Sequence, residues 1–175
     1  MENNRIVVMG LGYVGLPTAA VFASRRIPVL GVDVNQDAVD TVNQGKVHIV
    51  EPSLDIVVRA AVTEGYLRAS TRPEAADAFL IAVPTPFKSG NTPDLSYVEA
   101  ATRSVAQVLE PGNLVVLEST SPVGTTELVC KWLAEERPDL TLPHIHGDDA
   151  QIRVAHFPER VLPGKVVREV VENDR

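Results

Sequence analysis

Apolar positions along this chain fall into two alternating patterns: short continuous runs, and stretches with apolar residues three and four apart. Arg5–Met9, Pro28–Val32, Ala78–Val83, Asn113–Glu118 and Ile152–His156 are short runs rich in Val, Ile and Leu, as strands buried on both faces are. Tyr66–Ala69 adds a sixth, shorter candidate. Between them lie helical periods. Val14–Ser24 reads as the first helix, and Asn35 is placed to cap a short second one ending near Asn43. Ser53–Glu64 carries Leu54, Val57, Val58, Ala61 and Val62 at helical spacing. Leu95, Val98, Val105 and Leu109 mark one face of a long helix that Pro111-Gly112 stops. Thr125–Arg137 predicts another, with Leu128, Val129, Trp132 and Leu133 inward. Leu140–Asp149 reads as a polar surface loop, and Lys165–Val171 as a final turn or two of helix. The β–α alternation predicts an α/β fold: a doubly wound, mostly parallel Rossmann-type sheet with helices on both faces.

Ligands of such sheets bind beyond the carboxyl ends of the strands. The segments there are Gly10–Val14, Asp33, Val83–Pro86, Ser119–Thr126 and Phe157–Arg160. The first is the most informative. Gly10-Leu-Gly12-Tyr-Val-Gly15 follows a strand and opens a helix, the setting that a dinucleotide-binding glycine loop requires. Gly10 lets the chain turn off the strand, Gly12 lets backbone approach a pyrophosphate, and Gly15 lets helix pack on strand. The N–H groups of Tyr13 and Val14 are candidate phosphate donors at the helix N-terminus, although Val14 also suits the helix's core face. Asp33 stands about 20 residues on, at the end of the second strand. A carboxylate there accepts from both ribose hydroxyls and repels a 2′-phosphate, so it predicts NAD rather than NADP; the alternative is a plain cap or turn residue.

Composition narrows this reading. At 45% hydrophobic residues the chain is globular in character, and 175 residues suffice for one domain with a buried core. A formal charge of −7 argues against general nucleic-acid binding but not against a dinucleotide held by backbone N–H groups. The single cysteine, Cys130, excludes an internal disulfide and suggests a cytoplasmic setting; its place on a predicted helix suits a buried thiol. No apolar run reaches membrane-spanning length, and the polar start Met-Glu-Asn-Asn-Arg does not resemble a signal peptide. His144, His146, Asp148 and Asp149 lack a matching ligand cluster, so no metal is expected.

Four segments together resemble the UDP-glucose/GDP-mannose dehydrogenase family: Gly10–Pro17, Val83-Pro-Thr-Pro86, Glu118-Ser-Thr-Ser-Pro-Val-Gly-Thr-Thr126 and Pro158-Glu-Arg-Val-Leu-Pro-Gly164. The resemblance covers essentially the whole chain, 1–175, and implies an NAD-binding domain. It implies oxidation of a sugar-nucleotide primary alcohol to a carboxylate with two NAD. Segments His48–Pro52, Phe87-Lys88 and Pro158–Gly164 narrow the implied sugar nucleotide to UDP-N-acetyl-D-mannosamine, with UDP-glucose the alternative. The family's nucleophilic cysteine, its charge-steadying lysine, the linking helix and the sugar-nucleotide domain lie beyond this chain. Alone, then, it is expected to bind NAD without completing the oxidation, and the full-length protein is expected to be a homodimer.

The resemblance also assigns roles. Thr85 would stand against the cofactor; from residue types it is equally a turn residue between prolines. Thr120 would lie near the nicotinamide and the reacting centre. Thr126 would contact the cofactor, or cap the next helix in competition with Thr125. Glu159 would serve as the base for thioester hydrolysis, and Arg160 and Val161 would line the sugar-nucleotide side. From residue types alone, Glu159-Arg160 is equally a surface ion pair. Other readings are a stand-alone NAD-binding or redox-sensing module, a β-hydroxyacid dehydrogenase, and a glycine-loop methyltransferase that binds S-adenosylmethionine.

Overall fold

Alternate residues of each central strand point to opposite sides, and here both sides are apolar. Ile6 and Val8 face one cluster with Leu16, Ala20, Val39 and Val58. Val7 and Met9 face the other with Val98, Val105, Val129 and Leu133. A strand buried on both faces requires helices above and below it. The computed structural model describes residues 4–157 apart from Ser89 and Asn91. Within that range the strands are β1 (Ile6–Met9), β2 (Val29–Val32), β3 (Leu67–Ser70), β4 (Ala78–Ile81), β5 (Leu114–Leu117) and β6 (Arg153–His156). They form one sheet in the order β3-β2-β1-β4-β5-β6, every pairing parallel.

The helices are α1 (Gly15–Ser24), α2 (Gln36–Asn43), α3 (Leu54–Thr63), α4 (Ser96–Ala106), α5 (Thr125–Glu136) and the short α6 (Pro143–His146). The expected elements are present with trimmed ends. Asn35 caps α2 as expected, its side chain accepting from the Asp37 N–H at 2.9 Å.

Three local expectations need correction. The helix through Leu109 stops sooner, at Ala106. Arg137 braces this end by donating to the carbonyl of Ala106 (3.1 Å), the last residue of α4, and to that of Leu109 (2.7 Å) just beyond it. Asp139 steadies that guanidinium and raises its pKa. The segment read as a polar loop contains α6 and a 3₁₀ turn at Gly147–Asp149, anchored by the buried Leu140 and Leu142. On α5, Val129, Cys130 and Leu133 are buried, whereas Leu128 and Trp132 are half-buried. Burial pushes the Cys130 thiol pKa up. The expected helical turns at Lys165–Val171 lie outside the described residues.

The sheet order reverses between β1 and β4. The loops leaving these two strands diverge to opposite faces, and that divergence opens a crevice at their carboxyl ends.

Candidate functional site: a cleft at the switch point

The crevice is a cleft of about 570 Å³. Gly10, Gly12, Tyr13 and Val14 line its middle. Asp33, Val34 and Thr71 line the end above β2 and β3. Val83, Pro84, Thr85, Ser119 and Thr120 line the end above β4 and β5. Tyr97, Ala100, Ala101 and Ser104 of α4 form a wall.

The three glycines of the loop differ in why they are glycine. Gly10 has φ +93°, and a Cβ there would lie 2.7 Å from the Ala82 carbonyl oxygen. A Cβ on Gly15 would collide with the Gly10 carbonyl. Gly12 has neither reason: a Cβ would meet nothing of the protein within 4 Å and would project into open space beside the cleft. Its missing side chain therefore makes room for something other than this chain. The first bond of α1 runs from the Leu16 N–H to Gly12 O (3.1 Å), so the N–H groups ahead of it, on Tyr13, Val14 and Gly15, are open donors. No acidic side chain occupies the first turn. This is a seat for an anion.

Asp33 is fixed by its surroundings. Oδ2 accepts from the Leu11 N–H and Oδ1 from the Asn35 N–H, both at 2.9 Å. The carboxylate is thus both the turn residue and the acid facing the cleft; the two readings are compatible because each oxygen keeps a lone pair. The residues present therefore fit a dinucleotide: an acceptor pair for a ribose, open donors for a diphosphate, and a cradle that a Cβ would fill.

The other end is held by side-chain hydrogen bonds. Thr85 Oγ1 donates to Thr120 O at 2.5 Å, and Ser119 Oγ donates to Val83 O at 2.8 Å and Ile81 O at 3.1 Å. Beneath them the buried Glu118 accepts from the Thr18 hydroxyl of α1 at 3.0 Å. The loops after β4 and β5 and the first turn of α1 are thereby joined.

The cleft brings together Gly10, Gly12, Tyr13, Val14, Asp33, Thr85 and Thr120, and Gly15 lies directly beneath. It does not include Thr126. That residue sits in the first turn of α5 and lines a neighbouring hollow of about 290 Å³ with Ser121, Glu127 and His156. Neither threonine caps α5: Gly124 holds the cap position at φ +92°, and the Thr125 hydroxyl turns back to Pro122 O at 2.7 Å. Glu159, Arg160 and Val161 lie outside the described residues. The cleft also contains residues the sequence reading passed over: Val34, Thr71, Tyr97, Ala100, Ala101 and Ser104. Positions 97, 100, 101 and 104 stand at helical spacing, and that was the available signal.

The family model for the NAD-binding domain of UDP-glucose/GDP-mannose dehydrogenases matches residues 4–175. The chain belongs to this family. It carries the family's NAD-binding domain, and the cleft is where the fold places a dinucleotide. It is 68% identical to an NDP-N-acetyl-D-galactosaminuronic acid dehydrogenase of Ralstonia nicotianae, covering 100% of this chain and 41% of the relative. It is 64% identical to a UDP-N-acetyl-D-mannosamine dehydrogenase of Campylobacter jejuni, covering 99% of this chain and 43% of the relative. Among solved structures it resembles the UDP-N-acetyl-mannosamine dehydrogenase Cap5O of Staphylococcus aureus, with TM-score 0.88 and 40% identity over 98% of this chain and 40% of that one. The chain thus spans about two-fifths of the length of the relatives it matches. Among the described residues no helix is long and apolar enough to cross a membrane, and no group of three or more His, Cys, Asp or Glu side chains could hold a metal ion.

Proposed function

We propose that this chain is the cofactor-binding part of an NAD-dependent dehydrogenase that oxidises the C6 alcohol of UDP-N-acetyl-D-mannosamine to the carboxylate. The observation that carries the cofactor side is Gly12: the fold gives no internal reason for a glycine there, and a diphosphate over the open N–H groups of α1 supplies one. The sugar side is supported by relatives at 64% and 62% identity that carry the name UDP-N-acetyl-D-mannosamine dehydrogenase.

In this reading Asp33 accepts from the adenosine ribose hydroxyls and disfavours a 2′-phosphate. Tyr13 and Val14 present N–H groups to the diphosphate. Thr120 stands beside the nicotinamide end, where the bound cofactor supplies a hydride acceptor. Glu159 acts as base toward water, and Arg160 and Val161 meet the sugar nucleotide. Each four-electron oxidation consumes the alcohol, one water and two NAD, and yields the carboxylate, two NADH and three protons. The catalytic cysteine and lysine, and the dimer contacts, belong to the remaining length of the protein. A cytoplasmic location follows from the NAD dependence.

A second reading, a dehydrogenase of a different N-acetylhexosamine nucleotide, has its own support in the 68% identity to the Ralstonia relative. Calorimetric titration of this chain with NAD, NADP and S-adenosylmethionine tests the cofactor assignment. NAD binding, lost in Asp33→Ala, is the expected result; binding of S-adenosylmethionine in its place overturns the assignment. NADH formation by the full-length protein with UDP-N-acetyl-D-mannosamine, set against UDP-N-acetyl-D-galactosamine, separates the two sugar readings.

A further inference from the structure

We propose that Gly31 is a positioning residue: by leaving room on β2 for the Leu11 side chain, it seats the Leu11 N–H against Asp33 and sets how well that carboxylate reads a ribose hydroxyl. This rests on the cofactor reading above.

The proposal begins with a glycine in an unlikely place. β2 is Val-Leu-Gly-Val, and all four residues are buried. A glycine inside a strand packs nothing, so it marks a bulge or a close approach by something else. There is no bulge here: the register runs unbroken, with Gly31 opposite Val8 on β1 and Ala69 on β3. Nor does the backbone demand glycine, because Gly31 has no positive φ. What approaches is Leu11. A Cβ on Gly31 would stand 2.6 Å from Leu11 Cδ2 and 3.1 Å from Cδ1. Leu11 is fully buried, so its side chain has no solvent to swing into.

Leu11 is also the residue between the first two glycines of the loop. Its N–H donates to Asp33 Oδ2 at 2.9 Å, and the N–H of Gly10 donates to Val32 O at 2.7 Å. Asp33 continues the line of β2, its own N–H donating to Ser70 O at 3.1 Å. Residues two apart on a strand fall on the same face, so Gly31 and Asp33 lie side by side under the loop. Leu11 meets the first with its side chain and the second with its N–H. A methyl group at position 31 lifts the side chain and draws the N–H away with it. The carboxylate then keeps only the Asn35 N–H, on Oδ1. An acceptor held on one side can turn, and it must be ordered again when a ligand binds.

The experiment compares NAD with its 2′-deoxy analogue, which lacks one hydroxyl of the adenosine ribose. Both are titrated by calorimetry against this chain, Gly31→Ala, Leu11→Val, the Gly31→Ala/Leu11→Val pair and Val29→Ala. The last thins the same apolar cluster two positions earlier on β2, and the thermal midpoint of each variant is recorded. The parent chain should prefer NAD about tenfold, the worth of one hydrogen bond to a charged acceptor. We expect Gly31→Ala to weaken NAD about tenfold and to shrink the preference to about threefold or less. Val29→Ala should lower the thermal midpoint and keep the full preference. Leu11→Val leaves a gap over Gly31 and should weaken NAD about threefold. The pair returns the lost volume and should restore both affinity and preference, so that the methyl group which harms the parent helps in this background. Comparison of Leu11→Val with the pair keeps the test alive if Gly31→Ala alone does not fold. A full preference in Gly31→Ala, a preference lost equally in Val29→Ala, or a pair weaker than Leu11→Val would each overturn the proposal. A parent chain that binds no NAD, or binds both ligands alike, would overturn the cofactor reading at Asp33, and the proposal with it.

Discussion

The two ends of the cleft are built by different means. Above β2, a carboxylate is clamped by two backbone N–H groups, with Val34 and Thr71 lining the cleft beside it. Above β4 and β5, the walls are two loops tied by hydroxyl-to-carbonyl bonds, with a buried Thr18–Glu118 contact below. One end offers a fixed charge and free space; the other offers a network. The difference suits the two halves of a dinucleotide. The adenosine half is a handle and needs only to be held, whereas the nicotinamide half must present one carbon to a reacting partner and needs a fixed orientation.

The sharpest way to break this comparison is at Asp33. Asp33→Ala removes the acceptors for two hydroxyl hydrogen bonds and unclamps the turn at Leu11 and Asn35. Hydrogen bonds to a charged acceptor are worth ~1.5–3 kcal/mol each, so NAD binding should fall at least about 100-fold. ADP-ribose should fall by the same factor, because both ligands share this handle. Calorimetry on the two ligands checks it, and a loss confined to NAD would mean that the ends have been assigned the wrong way round.

Gly12→Ala addresses the middle. Its Cβ meets no protein atom within 4 Å, so the thermal midpoint should hold within about 2 °C while both ligands weaken at least about tenfold. A variant that instead loses stability and keeps its ligand would show that Gly12 serves the fold, as Gly10 and Gly15 do.

How much of this was readable beforehand depends on the sequence distance involved. The glycine loop and Asp33 are local signals: a run of apolar residues, a turn, a helical period and an acid at a fixed offset. The strands and their order of use follow from the same alternation. The Thr85–Thr120 and Thr18–Glu118 bonds join positions 35 and 100 residues apart, and no local pattern encodes which hydroxyl meets which carbonyl or carboxylate oxygen. On α4 the apolar period at Leu95, Val98 and Val105 drew attention to the core face and hid the neighbouring stripe at Tyr97, Ala100 and Ser104. The segment from Leu140 was misread because polar residues outnumber the two leucines that anchor it. Thr126, in the first turn of α5, lines the adjoining hollow rather than the cleft itself.

Ala100 then tests whether the α4 wall serves the adenosine half of the dinucleotide. The residue is exposed and lines the cleft, so a larger side chain there leaves the core undisturbed. Ala100→Leu should weaken NAD and ADP-ribose about tenfold together, with an unchanged thermal midpoint, by occupying room that the base requires. Nicotinamide mononucleotide, which has no adenosine half, should bind the variant and the parent chain alike. If it too is weakened, α4 serves both halves and the contrast between the ends dissolves.

The smallest effect concerns the hairpin that continues from Thr85 toward α4. Phe87 and Pro93 pair across it, Lys88 N–H donates to Thr92 O at 2.8 Å, and Asp94 N–H donates to Pro86 O at 2.7 Å. Asp94 closes it: the carboxylate accepts from the Ser96 N–H and pairs with Lys88 Nζ, both at 3.0 Å. The bonds from Ser96, and then the Lys88 charge, hold its pKa down at about 2. A carboxylate depressed in the folded state stabilises above its unfolded pKa of about 3.9 and ceases to do so as pH falls through its folded pKa. The contribution should therefore be complete at pH 5 and above, and decay between about pH 4 and 2. Amide exchange at Lys88 and Asp94, referenced to core amides of β1, should rise across that window in the parent chain. In Asp94→Asn it should start higher and stay level with pH. Because the pair is solvent-exposed, the change should be small. An acid dependence that survives in Asp94→Asn would assign the clasp to another group and leave the loop beside Thr85 held by its prolines alone.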